Sequence, residues 1–329
     1  MQLIQDLKNN FLYRWTSRPK KVDNNFAVIL LYHRIVNIES DPQLLAVTPE
    51  NFEDHLKFLK KNYNILSFQS LLYFLESDIP IPPRSVLISF DDGYYDNFTN
   101  AKRIIEANSV PAIFFISTSN IDSTQEYWWD ALERCILNNA SFPLKIEIDI
   151  EGVGVHSYLL DNKSANQKLY DFLIEKLRAV IPDKRDESLI KLSVICNSVE
   201  GRQSHRAMSK PELIEFSKSS FVTIGAHAHN HPSLAALDHD VQEREIMLSK
   251  SILESIIEKH VDFFSYPFGT IKDYSDTTKN ICKMGGFKLA VANYPAKLYN
   301  TEDRYALPRY LVRNWDKNEF SKKLNSFFL

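Results

Sequence analysis

Two adjacent carboxylates are the first residues of this chain whose types and spacing could do chemistry. Asp91 and Asp92 follow the apolar run at 86–90 and precede Gly93. Adjacent carboxylates repel each other, and this costs free energy unless they share a cation or a proton. An Asp-Gly dipeptide is also common in solvated turns, so the pair alone leaves a functional site and a plain turn both open.

A histidine cluster supplies groups that complement these carboxylates. The segment 225–232 reads GAHAHNHP and holds three of the chain's nine histidines. His227 and His231 are four positions apart, so one helical turn would place their rings on the same side. Together with Asp92 they are suitable ligands for Zn²⁺ or a similar divalent ion, with coordination positions left open for water and substrate. His229 is expected outside this ligand set, and the alternative for all three is ordinary loop histidines.

Both segments follow predicted buried strands. Apolar runs at 28–32, 86–90, 112–116, 221–224, 263–266 and 288–292 alternate with helical patterns at 48–62, 70–77, 97–108, 240–259 and 277–284. This alternation predicts an α/β fold with a parallel sheet or barrel, in which sites lie at the carboxyl ends of the strands. The stretch from about 120 to 206 breaks the pattern and is predicted to be a mostly helical insertion.

Composition narrows the class of protein further. The 329 residues include 39 Lys and Arg against 42 Asp and Glu, a net charge of −3, which argues against a nucleic-acid partner. No apolar stretch approaches the roughly 20 residues of a membrane span, and no signal peptide is recognisable, so we expect a cytoplasmic protein. Residues 1–21 mix apolar and basic side chains. They could lie on the inner membrane face as a peripheral contact, although a helix packed on the domain is the favoured interpretation.

The order of three motifs carries a family resemblance. SFDDGY at 89–94, GAHAHNHPSL at 225–234 and YPFG at 266–269 resemble the polysaccharide deacetylases, which are carbohydrate esterase family four with its NodB homology domain. The similarity extends from about 27 to 316. It implies a distorted (β/α)7 barrel similar to a TIM barrel, here covering 26–329 after an N-terminal segment at 1–25.

The resemblance also implies roles for individual residues. Asp92, His227 and His231 would bind the divalent metal, most simply Zn²⁺, with Co²⁺ or Ni²⁺ as alternatives. Asp91 would be the general base, and the backbone N–H of Phe268 would stabilise the oxyanion. The metal would lower the pKa of water towards roughly 7, so that hydroxide could attack an acetyl carbonyl.

Two positions depart from the family pattern. Ser265 stands where many members have an arginine that orients the catalytic aspartate, and we hypothesise that Arg309 replaces it; the alternative is a surface ion pair. The family's late Leu-x-x-His motif has no counterpart, because no histidine follows His260. The same pattern occurs early, ending at His33, as in circularly permuted exopolysaccharide deacetylases. We therefore hypothesise that His33 is the general acid, against a buried structural histidine.

Several further side chains are predicted to contact an acetylated carbohydrate. They are Tyr94, Trp128, Trp129, Asp130, Tyr266, Pro267 and Trp315. Core packing is the alternative for large aromatics. The expected function is metal-dependent N-deacetylation of an amino-sugar polysaccharide or of a lipid-linked glycan precursor. An O-acetyl carbohydrate esterase and a non-catalytic glycan-binding barrel are the alternatives, and the sequence leaves the sugar and the oligomeric state open.

Overall fold

The described chain forms a parallel barrel with helices around it. The structure is a computed structural model and describes residues 25–138, 144–150 and 154–329. Its strands are β1 (Ala27–Tyr32), β2 (Arg34–Ile35), β3 (Ala46–Val47), β4 (Asn64–Ile65), β5 (Ser85–Phe90), β6 (Ala112–Ile116), β7 (Leu144–Ile150), β8 (Gly154–Leu160), β9 (Val222–Ala226), β10 (Phe263–Ser265), β11 (Leu289–Val291) and β12 (Tyr310–Leu311). Its α-helices are α1 (Pro49–Asn62), α2 (Phe68–Glu76), α3 (Lys102–Asn108), α4 (Trp128–Ile136), α5 (Lys163–Leu177), α6 (Pro182–Ile195), α7 (Lys210–Phe216), α8 (His239–Ile257), α9 (Asp276–Met284) and α10 (Lys317–Phe327).

The strand order explains how distant motifs meet. The main sheet runs β11-β10-β9-β6-β5-β1-β12, and β4 adds to β5 at its side. All of these pairs are parallel. Every residue of β1 and β5 is buried, as expected for parallel strands covered on both faces, which read as continuous apolar runs. The carboxyl ends of β5, β9 and β10 therefore meet at one edge of the barrel.

The segment around Arg309 closes the barrel. Tyr310 and Leu311 of β12 pair with β1, while Leu307 forms a parallel bridge to Val291 of β11. This short stretch thus pairs with β1 and also bridges to β11 at the other end of the sheet, although its own strand β12 is only two residues long. The predicted distorted (β/α)7 barrel is confirmed.

The predicted insertion lies between β6 and β9, which pair directly with each other. It contains α4, α5 and α6, as the helical expectation requires, but also the antiparallel hairpin β7–β8, which was not predicted. Ile146, Ile148 and Ile150 are buried while the residues between them are exposed, so the alternation typical of a half-buried strand is present in the sequence. The insertion has its own apolar core, to which Trp129 and Tyr170 belong.

Two expectations concern membranes. In the part of the chain that the structure describes, no helix is long and apolar enough to cross a bilayer. The amphipathic segment predicted at 1–21 lies outside the described residues, so its role stays a prediction.

Candidate active site

The three predicted metal ligands lie together at the barrel edge. Asp92 follows β5, while His227 and His231 lie in the loop after β9. The predicted helical turn between the histidines is wrong, because Ala228 and His231 have φ values of 59° and 53°, in the left-handed region. The loop instead turns back on itself and places the two rings 4.8 Å apart, centroid to centroid.

The donor atoms converge in a way that fits a cation. Asp92 Oδ1 lies 3.6 Å from His227 Nε2 and 3.4 Å from His231 Nε2. His227 Nδ1 lies 2.7 Å from the carbonyl oxygen of Ser265, which can only accept, so Nδ1 carries the hydrogen and Nε2 presents its lone pair. Burial lowers the pKa of both histidines, so both rings are neutral. The Nε2 lone pair of His227 therefore faces a carboxylate oxygen of Asp92, and a divalent cation between them would bind both atoms.

Asp92 has a free-energy reason to hold a cation. Burial raises the pKa of Asp92 well above its usual value, and the neighbouring charges of Asp91 and Asp130 add to that rise. Keeping its carboxylate ionised in this place is costly unless positive charge lies next to it. The residues present thus fit the metal site that the sequence predicts.

Unlike Asp92, Asp91 has a positively charged side chain directly beside its carboxylate. The guanidinium of Arg309 donates from Nη1 to Oδ1 and from Nη2 to Oδ2, each at 2.7 Å, in a bidentate ion pair between two buried side chains. The Ser265 hydroxyl donates to Oδ2 at 3.2 Å and in turn accepts from Arg309 at 2.9 Å. Burial alone would raise the pKa of Asp91, but the charge of Arg309 outweighs it and holds the pKa at about 2. Asp91 is therefore ionised at neutral pH and held in one orientation.

His33 follows β1 and lines the cavity that also contains Asp91, Asp92 and the two histidines. Its Nδ1 is buried, and no group in the described part of the chain bonds to it. Burial lowers the pKa of His33 to about 3, although the charge of Asp91 opposes the shift. The ring is therefore neutral at pH 7, and a role as general acid requires that it gain a proton during the reaction.

Phe268 lies in a tight turn after β10. Its φ of 58° is in the left-handed region, and Gly269 donates back to the Pro267 carbonyl at 2.6 Å. Within the described residues, no group accepts a hydrogen bond from the Phe268 N–H. Its ring packs against His231 at 4.8 Å, beside the metal ligands. A free backbone donor next to the site is what an oxyanion requires.

These residues enclose a cavity of about 220 Å³. Sequence reasoning missed several of its lining residues: Gln43, Arg178, Thr270, Asn293 and Arg313. Most of them lie in irregular loops or just after short elements, where no periodic pattern marks them. Two of them are arginines, Arg178 and Arg313, and only the tertiary structure places them there.

Of the side chains predicted to contact substrate, only Trp129 lines the cavity. Its ring lies 4.5 Å from that of His231, and its Nε1 donates to Tyr94 Oη at 2.7 Å. The others, Tyr94, Trp128, Asp130, Tyr266, Pro267 and Trp315, do not line this cavity, and their contact with substrate stays a prediction.

Four of these side chains have contacts elsewhere in the fold. Tyr94 is fully buried and donates to Asp130 at 2.7 Å, and Tyr266 is fully buried and donates to the carbonyl of Tyr305. Trp315 packs against the barrel core. The packing of Tyr94, Tyr266 and Trp315 agrees with the core-packing alternative, since burial of large aromatic rings stabilises the fold.

Comparison with known proteins agrees with the fold and with the family resemblance of the sequence motifs. The family profile for polysaccharide deacetylase matches residues 78–142 and 196–290, on both sides of the insertion. A putative polysaccharide deacetylase of Bacillus subtilis, YxkH, is 20% identical over 298 residues, which are 90% of this chain and 73% of the relative. A poly-β-1,6-N-acetyl-D-glucosamine N-deacetylase of Staphylococcus aureus is 25% identical over 173 residues, 48% of this chain and 59% of that relative.

A solved structure shows the same fold. The deacetylase PplD of Streptococcus pyogenes, in complex with acetate, superposes with a TM-score of 0.59 at 16% identity, covering 91% of this chain and 98% of that one. The chain belongs to the polysaccharide deacetylase family. The predicted enzyme class, a hydrolase acting on carbon–nitrogen bonds, is confirmed at the level of the family.

Proposed function

We propose that this protein is a metal-dependent deacetylase that removes N-acetyl groups from an amino-sugar polysaccharide or from a lipid-linked glycan precursor. One observation carries the proposal. Two adjacent carboxylates at the end of β5 have opposite surroundings, since Asp91 is fixed by Arg309 while Asp92 faces the Nε2 atoms of two neutral histidines. The relatives named as deacetylases support the same chemistry.

The residues divide the work of amide hydrolysis. A divalent ion held by Asp92, His227 and His231 would acidify water and polarise a carbonyl. Asp91 accepts a proton as the water oxygen forms its bond to the acetyl carbon. The Phe268 N–H donates to the carbonyl oxygen as negative charge develops there. The carbon–nitrogen bond then breaks, so that the acetyl group departs with the oxygen of water and the nitrogen stays on the sugar as an amine.

The departing nitrogen needs a proton, because an unprotonated amide nitrogen is a poor leaving group. In this proposal His33 transfers the proton, and its position in the lining of the same cavity supports that role. Its ring is neutral in the free protein, so the proton that Asp91 takes from water must reach the nitrogen either through His33 or directly. Overall, one hydrogen of water goes to the nitrogen and the hydroxyl goes to the acetyl carbon, which gives the amine and acetic acid. The proton of the acid then passes to the amine or to solvent, which leaves acetate.

Acetate release tests this proposal. The protein is stripped with a chelator, reloaded with Zn²⁺, Co²⁺ or Ni²⁺, and incubated with β-1,6-linked N-acetylglucosamine oligosaccharides and with acetylated xylo-oligosaccharides. Asp91→Asn is expected to abolish release, whereas Asp240→Asn, at a fully exposed carboxylate of α8, is the matched control. Release from the xylan substrate alone would favour an O-acetyl esterase. Metal binding with no release from any substrate would favour a non-catalytic glycan-binding barrel.

The location of the reaction also stays a prediction. A cytoplasmic protein that touches the membrane through residues 1–21 would act on a biosynthetic intermediate. Fractionation of cells that express the full chain tests this, with a variant in which Leu7 and Phe11 are replaced by serine. A full chain found only in the soluble fraction would contradict the membrane contact.

A further inference from the structure

Arg313 is a cation of the active-site cavity without an acidic ion-pair partner among the described residues. It follows β12, is partly exposed, and lines the cavity that contains His33 and Asp91. Its Nη1 donates to the backbone carbonyl oxygens of Gln43, at 2.8 Å, and of Leu44. Among the described residues, no carboxylate lies within ion-pair distance of its guanidinium, and none accepts a hydrogen bond from its Nε or Nη2.

The other arginines at this site are neutralised. Arg309 is paired with Asp91, and Arg178 is paired with the buried Asp273. Asp41 is the one carboxylate whose charge acts noticeably on Arg313. Both carboxylate oxygens of Asp41 are already occupied, since they accept the backbone N–H groups of Leu45 and Ala46 at 2.8 Å. Asp41 therefore acts on Arg313 only from beyond ion-pair distance, and the Nε and Nη2 donors of Arg313 bind no carboxylate among the described residues.

We propose that Arg313 binds an anionic group of the substrate, a phosphate or a carboxylate, carried beside the acetylated amino sugar. This inference rests on the proposed function and names its substrate class: an acidic glycan or a phosphate-linked glycan precursor. A guanidinium presents N–H donors in a planar fork that matches both kinds of oxyanion. With Nη1 engaged by carbonyls, Nε and Nη2 are the donors that remain for such a group.

Because Arg313 is partly buried, an anionic partner would stabilise its charge more than it would at the open surface. A cation removed from water loses hydration, and carbonyl dipoles replace only part of it. An anionic ligand at hydrogen-bond distance would supply the rest, and the small cavity would limit screening by salt. A neutral glycan offers only hydroxyl and amide groups, and these would leave the charge uncompensated.

A structural role for Arg313 is the competing explanation. The side chain joins the end of β12 to the loop at residues 43–44, so it could act only by shaping the cavity. Such a role would affect every substrate alike. An anion-binding role instead separates charged substrates from neutral ones, and this difference is measurable.

The test compares three substrates with the metal-loaded full chain. They are a neutral N-acetylglucosamine tetrasaccharide, N-acetylglucosamine 1-phosphate, and a hyaluronan tetrasaccharide that carries carboxylates. We expect Arg313→Gln to lower kcat/KM for one or both anionic substrates by about 10- to 100-fold, as loss of a charge-assisted hydrogen bond would. The neutral substrate should change much less, and Arg313→Lys should restore part of the loss. Arg103→Gln, at an exposed arginine of α3, is the matched control.

The outcomes separate this inference from the proposed function. Loss confined to the phosphate or to the carboxylate substrate identifies the source of the anion. Equal losses on all three substrates, or no loss, would overturn the inference while leaving the deacetylase intact. No acetate release from any substrate by the unmodified protein would instead count against the proposed function. Thermal unfolding of each variant verifies that a loss of rate does not come from a loss of fold.

Discussion

At the scale of single residues, the Asp91–Arg309 pair governs how the proposed base is held. Lysine keeps the positive charge but cannot donate to both carboxylate oxygens at once. We therefore expect Arg309→Lys to lower kcat by about 10- to 100-fold with a smaller change in KM, because a misaligned base slows the chemical step more than binding. Steady-state acetate release measures both constants.

The matched control is Arg206→Lys. Arg206 makes a similar bidentate pair with Glu212, with both contacts at 2.8 Å, away from the cavity. That variant should keep the unmodified kcat. An Arg309→Lys protein with full kcat would show that the orientation of Asp91 does not limit the reaction.

The histidine loop gives a second prediction at this scale. His231→Gln removes a proposed ligand atom, so we expect Zn²⁺ affinity to fall by at least about 100-fold, given the binding free energy shared among the ligands of a zinc site. His229→Gln is the neighbouring control, since His229 Nδ1 instead lies 2.8 Å from the Thr118 hydroxyl. Titration against a chromophoric chelator measures both affinities. If the two variants lost the same affinity, the assignment of ligands would be incorrect.

At the scale of elements, His55 joins α1 to β1 and α10. Its Nε2 lies 2.8 Å from the Trp315 carbonyl and so carries the hydrogen, while Nδ1 lies 3.2 Å from Tyr32 Oη. The ring also stacks on Phe320, with centroids 3.8 Å apart. Both nitrogens of the neutral ring are therefore satisfied, and a second proton on Nδ1 would displace the hydrogen bond that Nδ1 accepts from the Tyr32 hydroxyl. Burial lowers the pKa of His55 to about 4.

This environment predicts a loss of stability in acid. The pKa in the folded state is below the unfolded value of about 6.5, so the unfolded chain binds more protons between these two values. The stabilisation is complete above about pH 6.5 and is lost as pH falls towards 4. From pH 7.5 to 5 we expect this group to lower the free energy of unfolding by roughly 2 kcal/mol.

Urea unfolding at the two pH values measures the effect. In His55→Gln the group no longer titrates, so the fall in the free energy of unfolding should be smaller by about that amount. Other buried histidines, such as His205, also titrate, and the comparison between the two proteins removes their contribution. Identical falls in both proteins would contradict the prediction.

At the scale of the whole molecule, the active site opposes the stability of the metal-free protein. Asp92 is a buried carboxylate beside the charge of Asp91. We expect Asp92→Asn to raise the free energy of unfolding of the metal-free protein by roughly 1–3 kcal/mol, because it removes an uncompensated buried charge. The same variant should lose the stabilisation that added Zn²⁺ gives the unmodified protein.

Asp91→Asn should instead lower the free energy of unfolding of the metal-free protein. It leaves the buried guanidinium of Arg309 without its ion-pair partner, a change that costs about 3–5 kcal/mol in other buried pairs. Urea unfolding of both metal-free variants, with and without added Zn²⁺, compares the two neighbours directly. Equal effects would show that their surroundings do not differ as the geometry indicates.

The sequence by itself determined what local patterns can encode. Apolar runs predicted β1, β5, β6 and β9 to within about two residues, because strands buried on both faces leave a continuous signal. The motifs at the ends of β5 and β9 predicted the converging groups of Asp92, His227 and His231. The strands depend on residues that are close in the chain, whereas the convergence of Asp92 with the two histidines also depends on the rule that sites lie at the carboxyl ends of parallel strands and on the family resemblance.

Only the tertiary structure decided which distant side chains meet. The family pattern suggested Arg309 as a hypothesis, but its contact with Asp91, 218 residues away, arises because two residues of β12 close the barrel beside β1. Arg313 lines the cavity for the same reason, whereas the rings of Tyr94 and Tyr266 are buried in the apolar cores. Sequence spacing carries no record of such pairs, since their free energy of interaction depends on burial and on distance in space.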